Sequence, residues 1–354
     1  MSVDRDEVRT AADGVGGAGV AAVAPDRGGR AAALLRTRNL TSVVSRNAAV
    51  VGLAVVIVLG VLVVPTFGSV DNFRNVALAA SFIAIIAVGM TFVIINGGID
   101  LSVGSTYALA VILSELVSPY GSAAAILVPL VATGVVGLLQ GLIIARLRLP
   151  AFIVTLAGLT GIRGLVFLIT HEGNDVPQVP GFKYFEILGT GSFLGIGNPV
   201  WIAVVLFAIG WWVLNPTAFG QTIQAVGGND AAAELMGLPV KRATATVYVV
   251  SGVCAGVAGI LTTALPGGGQ EARIGDAYEL QAIAAVVIGG TLLSGGVGSM
   301  IGTAAGIALL FVIQNLIVQG ANLNSYVQQV VSGGFLLVVV ILQATVSRRS
   351  GRST

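Results

Sequence analysis

The stretch RNVALAASFIAIIAVGMTFVIINGGIDLSVGS (74–105) decides how this chain folds. Its first part, 74–95, has one charge, on Arg74, and is long enough to cross a bilayer, which takes about 20 mostly apolar residues. An Asn-Gly-Gly turn follows, and then an aspartate and two serines precede more apolar sequence. Unwound backbone at membrane depth is tolerated only where protein or a watery cavity satisfies it. The stretch therefore predicts a spanning helix that ends at a broken segment, 96–105.

Apolar runs of this kind make up most of the chain. Of 354 residues, 55% are hydrophobic and 10% are charged, whereas a soluble domain has about 25% charged residues. Small residues let helices approach closely in a bilayer, which gives the 49 glycines a packing role. We therefore predict an all-α integral membrane fold of about ten transmembrane helices, with broken or short helices near 96–105 and 277–299. The apolar runs are 47–66, 74–95, 101–118, 122–145, 149–170, 199–214, 243–264, 277–293, 300–318 and 325–346.

Charge divides the chain into a membrane domain and two tails. Residues 1–46 contain no sustained apolar run, which predicts a disordered cytoplasmic tail rather than a signal peptide. Residues 47–346 form the predicted polytopic transmembrane domain, in which 215–242 is a cytoplasmic loop, and 347–354 form a second cytoplasmic tail. Because basic residues mark cytoplasmic segments, we place both termini inside. The basic residues of the predicted inner segments are Arg36, Arg38, Arg46, Arg146, Arg148, Lys241, Arg242, Arg348, Arg349 and Arg352.

A second stretch of the sequence resembles the broken segment, and we call this similarity the internal echo. A shift of 198 residues aligns INGGIDLSVGSTYALA (95–110) with LSGGVGSMIGTAAGIAL (293–309) and brings the paired glycines of the two stretches into register. Duplicated halves are common in transporters, but chance similarity between glycine-rich segments is the alternative explanation. If the repeat is real, it is a parallel one, because both stretches follow a helix that runs inward.

Charged side chains inside membrane segments are expensive and default to functional candidates. Asp100 is one, with Asn96 and Ser102 beside it as groups suited to sugar hydroxyls; the alternative is that Asp100 caps the helix beginning near Leu101. Arg163 lies inside an otherwise apolar run and either lines a substrate path or forms a structural pair. A direct pair between Asp100 and Arg163 is a further possibility. These four residues are the substrate-path candidates.

The predicted inner loop contains QTIQAVGGNDAAAELMGLPVKR (221–242). Its centre predicts a short helix that begins at Asn229 or Asp230 and stops at Gly237. Such a helix on the cytoplasmic face would suit docking of a soluble partner; a plain surface linker is the alternative.

Motifs for chemistry are missing from the sequence. Neither of its two lysines, Lys183 and Lys241, follows the glycine pattern of a Walker A motif, and no GxSxG occurs. The lone His171 lacks neighbouring ligands for a metal, and the single cysteine, Cys254, lies among small residues and predicts packing. We expect no enzyme activity, no catalytic residues, no metal and no cofactor in this chain, and the charge balance suggests no nucleic-acid partner.

Four segments in this order resemble the permease subunits of bacterial carbohydrate ABC importers of the ribose, xylose and galactofuranose type: NGGIDLSVGS (96–105), PAFIVTLAGLTGIRGL (150–165), AVGGNDAAAELMGLPVKR (225–242) and YELQAIAAVVIGGTLLSGGVGSMIGT (278–303). The resemblance covers roughly 70–345. It implies a permease domain that dimerises, binds a separate ATPase subunit that consumes ATP, and receives its solute from an extracytoplasmic sugar-binding protein. It also implies that 225–242 couples to the ATPase, although Asp230 and Ala231 stand where many relatives have two acidic residues. The ATPase-coupling residues it suggests are Gly227, Gly228, Asn229, Ala232, Glu234 and Gly237.

These observations predict a multi-pass protein of the bacterial cytoplasmic (inner) membrane, surrounded by lipid, that moves a monosaccharide or similar polar small molecule as an ABC importer subunit. The second copy in the dimer is either the same chain or a different one. An ion-coupled secondary transporter of a small polar solute is the alternative, but it would need a relay of intramembrane carboxylates or histidines. A passive channel is a further alternative, but it would not explain the 215–242 loop. A non-transporting membrane scaffold would be favoured only if no ATPase associates with the chain.

Overall fold

A computed structural model describes residues 48–172, 183–265 and 273–321, together with residues 330, 333 and 334. The described residues fall within one compact unit. The two predicted tails, 1–46 and 347–354, lie outside the described residues. So does most of the last apolar run, 325–346. The described helices are α1 (Ala48–Val63), α2 (Val70–Ile95), α3 (Val103–Val117), α4 (Ser122–Leu147), α5 (Ala151–Ile169), α6 (Lys183–Thr190), α7 (Asn198–Leu214), α8 (Ala218–Gly228), α9 (Asp230–Leu235), α10 (Val240–Thr263), α11 (Tyr278–Ile288) and α12 (Met300–Ala321).

The chain is an all-α, multi-pass membrane protein. Within the described residues five helices are long and apolar enough to cross a bilayer, namely α2, α4, α5, α10 and α12, and a sixth crossing is possible if α7 and α8, which meet at a 74° bend, form one span. Helices α1 and α11 are apolar but shorter. The predicted total of ten spans stays a prediction, because one run lies outside the described residues and several helices are short.

Helix α2 forms the centre of the bundle. Of its most apolar window, 83% is buried inside the protein, against 22% for α4 and 17% for α5. Helix α10 packs against α4, α2 and α3. Apolar side chains of α4 and α5 therefore point outward, and this is expected of surfaces that face lipid or another membrane chain rather than water.

Glycines bring α4 and α10 into close contact. A Cβ atom on Gly137 or Gly141 of α4 would overlap the backbone carbonyl groups of α10, and a Cβ on Gly252 of α10 would overlap the carbonyl of Thr133. Because lipid is as apolar as a helix surface, helices associate in membranes largely through such close packing. The packing role predicted for the glycines is present at this interface.

A helix and a hairpin between the fifth and sixth apolar runs were not predicted from the sequence. The described part of this region contains α6 and a small antiparallel hairpin of Ser192–Phe193 with Ile196–Gly197. The hairpin leads directly into α7, whose Trp201 donates a hydrogen bond to the carbonyl of Phe193 at 3.0 Å.

Candidate functional site

Helix α2 ends in a glycine turn where the sequence predicts the break. The amide of Gly97 bonds to the carbonyl of Ile94 at 2.9 Å, and the amide of Gly98 bonds to the carbonyl of Val93 at 3.0 Å. Gly97 has a φ of 86°, which only glycine adopts at little cost. The chain then turns back into α3. The turn brings the polar residues of 96–105 into the interior of the bundle, where Asn96, Asp100 and Ser102 are all buried.

Asp100 lies in a cluster of hydroxyl groups. Its Oδ1 accepts hydrogen bonds from the backbone amide of Ser102 at 2.9 Å and from the Ser102 hydroxyl at 2.7 Å. Its Oδ2 accepts from the hydroxyl of Ser251 on α10, also at 2.7 Å. Gln140 on α4 lies 3.1 Å from the Ser102 hydroxyl. The bond from the Ser102 amide is the contact expected of a cap for a helix beginning near Leu101, although the α-helix itself begins at Val103. Through Ser102 and Ser251 the cluster also links the broken segment to α4 and α10.

Arg163 has different partners. Its guanidinium forms an ion pair with Asp276 at 2.8 Å and donates to the carbonyl of Ile274, also at 2.8 Å. The Arg163 side chain is 15% exposed and the Asp276 side chain 61% exposed. Asp276 belongs to the acidic segment 265–279, which the charge distribution places outside. Arg163 and Asp100 therefore have different partners, and they do not form the direct pair considered from the sequence.

Asn96 borders a cavity at the other end of the bundle. Its Nδ2 donates to the Thr244 hydroxyl at 3.2 Å. Its Oδ1 and the hydroxyl of Tyr248 are both buried and have no hydrogen-bond partner among the described residues. Both residues line a cavity of about 280 Å³ whose rim includes Arg148, Glu234 and Lys241. Tyr248 was not predicted as a site residue, because a tyrosine in an apolar run gives no sign that it lines a cavity.

The short helix of the inner loop is α9. The side chain of Asn229 caps it by accepting from the amide of Ala232 at 2.9 Å. At its end, Gly237 has a φ of 78°, and the amide of Leu238 bonds to the carbonyl of Ala233 at 3.1 Å. This is a glycine stop of the kind that the sequence predicts.

Helix α9 projects from the bundle. Leu235 is 90% exposed and Met236 is 79% exposed. Ala232 is also exposed. Glu234 forms an ion pair with Arg148 at 2.7 Å, which fastens the helix to the end of α4. Two large, mostly exposed apolar side chains at the end of a capped helix are typical of an interaction surface.

Glycines connect the inner loop to both halves of the internal echo. The amide of Gly296 donates to the carbonyl of Ile95, the last residue of α2, at 2.8 Å. Gly227 of α8 packs so closely on this pair that a Cβ would overlap the Ile95 carbonyl oxygen and lie 2.6 Å from the Gly296 nitrogen. A Cβ on Gly295 would lie 2.8 Å from the Cα of Gly97. We call Ile95, Gly97, Gly227, Gly295 and Gly296 the glycine junction. The two aligned turns meet there, and the end of α8, which leads to α9, lies against both turns.

The described residues contain no group of three or more His, Cys, Asp or Glu side chains that could hold a metal ion. The described polar groups near the break are mostly neutral amides and hydroxyls. Such groups can donate and accept hydrogen bonds with a polar solute.

Comparison with known proteins identifies relatives over most of the chain. Residues 72–340 match the family model described as branched-chain amino acid transport system / permease component. The chain is 38% identical over 297 residues to a ribose import permease protein of Haemophilus influenzae, covering 82% of this chain and 90% of that protein. It is 36% identical over 296 residues to the ribose import permease protein of Bacillus subtilis, with 82% and 90% covered. An L-arabinose ABC transporter permease protein of Azospirillum brasilense is 38% identical over 283 residues, with 79% and 82% covered. No solved structure matches the chain.

Proposed function

The chain belongs to the family of permease components described for branched-chain amino acid transport systems, and from this premise we propose that it is the membrane-spanning subunit of an ABC importer for a monosaccharide or similar polar small molecule. The observation that carries the proposal is the identity of 36–38% to sugar permeases over about four fifths of the chain. A permease of this kind belongs in the bacterial cytoplasmic membrane.

The polar groups in the bundle favour a sugar over an amino acid. A free amino acid has a carboxylate and an ammonium group, and a site that takes both out of water must supply opposite charges. The two charges nearest the break are both acidic: Asp100, whose oxygens already accept three hydrogen bonds from Ser102 and Ser251, and Glu279, whose carboxylate lies beside Gly104. The neutral amides and hydroxyls of Asn96, Ser102 and Gln140 are suited instead to the hydroxyl groups of a sugar. Asn96, Asp100 and Ser102 remain our candidates for the inner part of the path, and Arg163 for its outer end.

A separate ATPase subunit would provide the energy. We assign its docking to α9, because the exposed Leu235 and Met236 offer an apolar contact and the ion pair between Glu234 and Arg148 joins the helix to the end of α4. An extracytoplasmic binding protein would deliver the sugar, and a second permease copy would complete the membrane part. The residues that we assign to coupling are Gly227, Gly228, Asn229, Ala232, Glu234 and Gly237.

The docking can be tested by co-purification of the ATPase subunit with the permease in detergent, without the binding protein. We expect the double substitution Leu235→Asp and Met236→Asp to weaken the complex by about 30-fold or more, since a central apolar anchor contributes about 2 kcal/mol or more. The matched control is Leu194→Asp, which changes a leucine that is 75% exposed in the outer hairpin. Normal recovery of the ATPase with the double variant would remove α9 as the docking site.

The transport assignment is tested in proteoliposomes that contain the permease, its ATPase subunit and its binding protein. We expect ATP-dependent accumulation of at least one member of a panel of D-ribose, L-arabinose, D-xylose and D-galactose. An ion-coupled transporter would instead accumulate its solute without ATP, in response to an imposed proton or sodium gradient.

A further inference from the structure

The connection between α4 and α5 carries positive charge and exposed apolar side chains together. Only residues 148–150 separate the two helices. Arg146 and Arg148 are exposed, and the leucines beside them, Leu147 and Leu149, are 65% and 44% exposed. Both helices leave most of their apolar surface uncovered by this chain. Because lipid-exposed loops do not occur inside the hydrocarbon region, a connection this short between them lies at the surface of the bilayer.

Arg146 continues the outward face of α4. It follows Leu139 by seven residues and Ile143 by three, and both spacings place side chains on one face of a helix. Leu139 is 56% exposed and Ile143 is 39% exposed, whereas Gly137 and Gly141 pack against α10. Arg146 therefore lies at the end of a row of exposed apolar side chains, where the hydrocarbon region gives way to the lipid headgroups.

Helix α10 begins at the level where α4 ends. A Cβ on Gly137 of α4 would overlap the backbone at Tyr248, and a Cβ on Gly141 would overlap the backbone at Ala245. A step of one turn forward along α4 is thus a step of about one turn back along α10, so the two helices are antiparallel. One further turn brings the last residues of α4 beside the first turn of α10.

Positive charge collects where these two helix ends meet. The first turn of α10 contributes Lys241 and Arg242, both exposed, and Lys241 lines the same cavity as Arg148. Arg148 is paired with Glu234. Within the part of the chain that the structure describes, the other basic residues at this end form no ion pair. We call the four residues the basic patch: Arg146, Arg148, Lys241 and Arg242.

The basic patch keeps an excess of positive charge beside its acidic neighbours. Among the residues that line the cavity the acidic ones are Asp230 and Glu234, and Glu234 is the partner of Arg148. Four basic against two acidic side chains leave two positive charges uncompensated. The patch belongs to segments that positive charge marks as cytoplasmic, and the cytoplasmic leaflet is where anionic lipids attract such clusters.

We propose that the basic patch binds the phosphate group of an anionic phospholipid of the cytoplasmic leaflet, whose acyl chains lie along the outward face of α4. The charge calls for an anionic group, and the exposed leucines that alternate with the arginines call for an apolar one. A phospholipid has both in one molecule, in the order in which the patch and the helix face present them. This binding site is independent of which solute the permease transports.

The experiment uses the full-length permease purified in complex with its ATPase subunit, so that a lipid must bind beside the docked ATPase. The complex is titrated in mild detergent with phosphatidylglycerol or with phosphatidylcholine of the same acyl chains, and bound lipids are counted by native mass spectrometry. We expect phosphatidylglycerol to bind more tightly. The pair Arg146→Gln with Arg242→Gln should weaken its binding by about 30-fold, or about fivefold for each charge removed. Arg148 is left unchanged because it holds α9 through Glu234.

Two further variants control for charge and for folding. The pair Arg74→Gln with Arg273→Gln removes the same number of positive charges from exposed residues of the predicted outer side, and phosphatidylglycerol should bind to it as to the wild type. The pair Arg146→Lys with Arg242→Lys keeps both charges and should keep the affinity within about twofold, since a headgroup at the membrane surface needs a positive charge rather than a particular fork of donors. Equal weakening in the lysine and glutamine pairs would mean that packing rather than charge is responsible, and would overturn the site.

The other occupants of the basic patch give different results. Displacement of phosphatidylglycerol by inorganic phosphate at ten times the lipid concentration would indicate a site for a soluble anion, and would overturn the proposal. Equal affinities for the two lipids, with loss of the ATPase subunit from the Arg146→Gln with Arg242→Gln pair, would assign the patch to the ATPase contact instead. Weakening by the outer pair as large as that by the inner pair would reduce the effect to net charge and would remove the site as well.

Discussion

The glycine junction makes a sharp prediction about two adjacent residues of α8, Gly227 and Gly228. A Cβ on Gly227 would overlap the carbonyl oxygen of Ile95 and lie 2.6 Å from the nitrogen of Gly296, whereas a Cβ on Gly228 would meet nothing within 4 Å. Neither glycine has a positive φ, so alanine meets no backbone strain at either position. The substitutions Gly227→Ala and Gly228→Ala therefore add the same methyl group in the same helix and differ only in what it touches.

The expected cost follows from the atoms involved. Both atoms that the Gly227 methyl group meets are backbone atoms, which cannot swing aside as a flexible side chain would. Overpacking of this kind costs about 1–3 kcal/mol. Loss of the hydrogen bond from Gly296 to Ile95 adds about 0.5–1.5 kcal/mol. The better helix propensity of alanine offsets at most about 1 kcal/mol, so Gly227→Ala should destabilise by about 2 kcal/mol, while Gly228→Ala should be neutral or slightly stabilising.

The measurement is the free energy of unfolding of the purified permease in mixed micelles titrated with a denaturing detergent. ATP hydrolysis stimulated by the loaded binding protein is measured in parallel, since the junction joins the segment leading to α9 to both turns. We expect Gly227→Ala to lower both quantities and Gly228→Ala to change neither. Equal unfolding free energies for the two variants, within about 0.5 kcal/mol, would refute the close contact at Gly227.

Three further predictions concern the charged residues. A double-mutant cycle with Arg163→Gln and Asp276→Asn should give a coupling free energy of about 0.2–1 kcal/mol in unfolding titrations, because Asp276 is 61% exposed and water screens the pair; a coupling of several kcal/mol would mean that the pair is buried in the assembled membrane protein. Asp100→Asn should lower the unfolding free energy by about 1.5–3 kcal/mol, because the amide cannot accept all of the hydrogen bonds that the carboxylate accepts, and wild-type stability would contradict this. A cysteine at Asp230 in a Cys254→Ala background should resist an impermeant thiol reagent added outside intact cells, and labelling from outside would reverse the topology.

The elements with strong local signals could be predicted from the sequence. Apolar length indicates the positions of the main helices to within several residues, and the polar cap Asn229 and the glycine stop Gly237 of α9 lie only eight residues apart, in a pattern that sequence rules describe well. The glycine break after α2 is equally local, because Gly97 needs a conformation that other residues avoid.

The contacts between helices could not be predicted in the same way. Ser251, Gln140 and Tyr248 lie in apolar runs, and the sequence does not indicate which face of each helix turns toward Asp100 or Asn96. The partner of Arg163 lies more than a hundred residues away, in a turn read only as an acidic outer segment. These contacts depend on how close α4 and α10 come to each other and to α2, and this distance is set by glycines whose effect appears only when the helices are packed.

The glycine junction brings the turns of the two aligned stretches into contact. At the meeting point a Cβ on Gly295 would lie 2.8 Å from the Cα of Gly97, and the φ of 86° at Gly97 disfavours a side chain there as well. Because Gly227 closes the same contact by backbone atoms, no rotamer change is available to absorb a displacement of α8. If α9 docks on an ATPase as we propose, these main-chain contacts are the shortest route from that interface to Ile95 at the end of α2, five residues before Asp100.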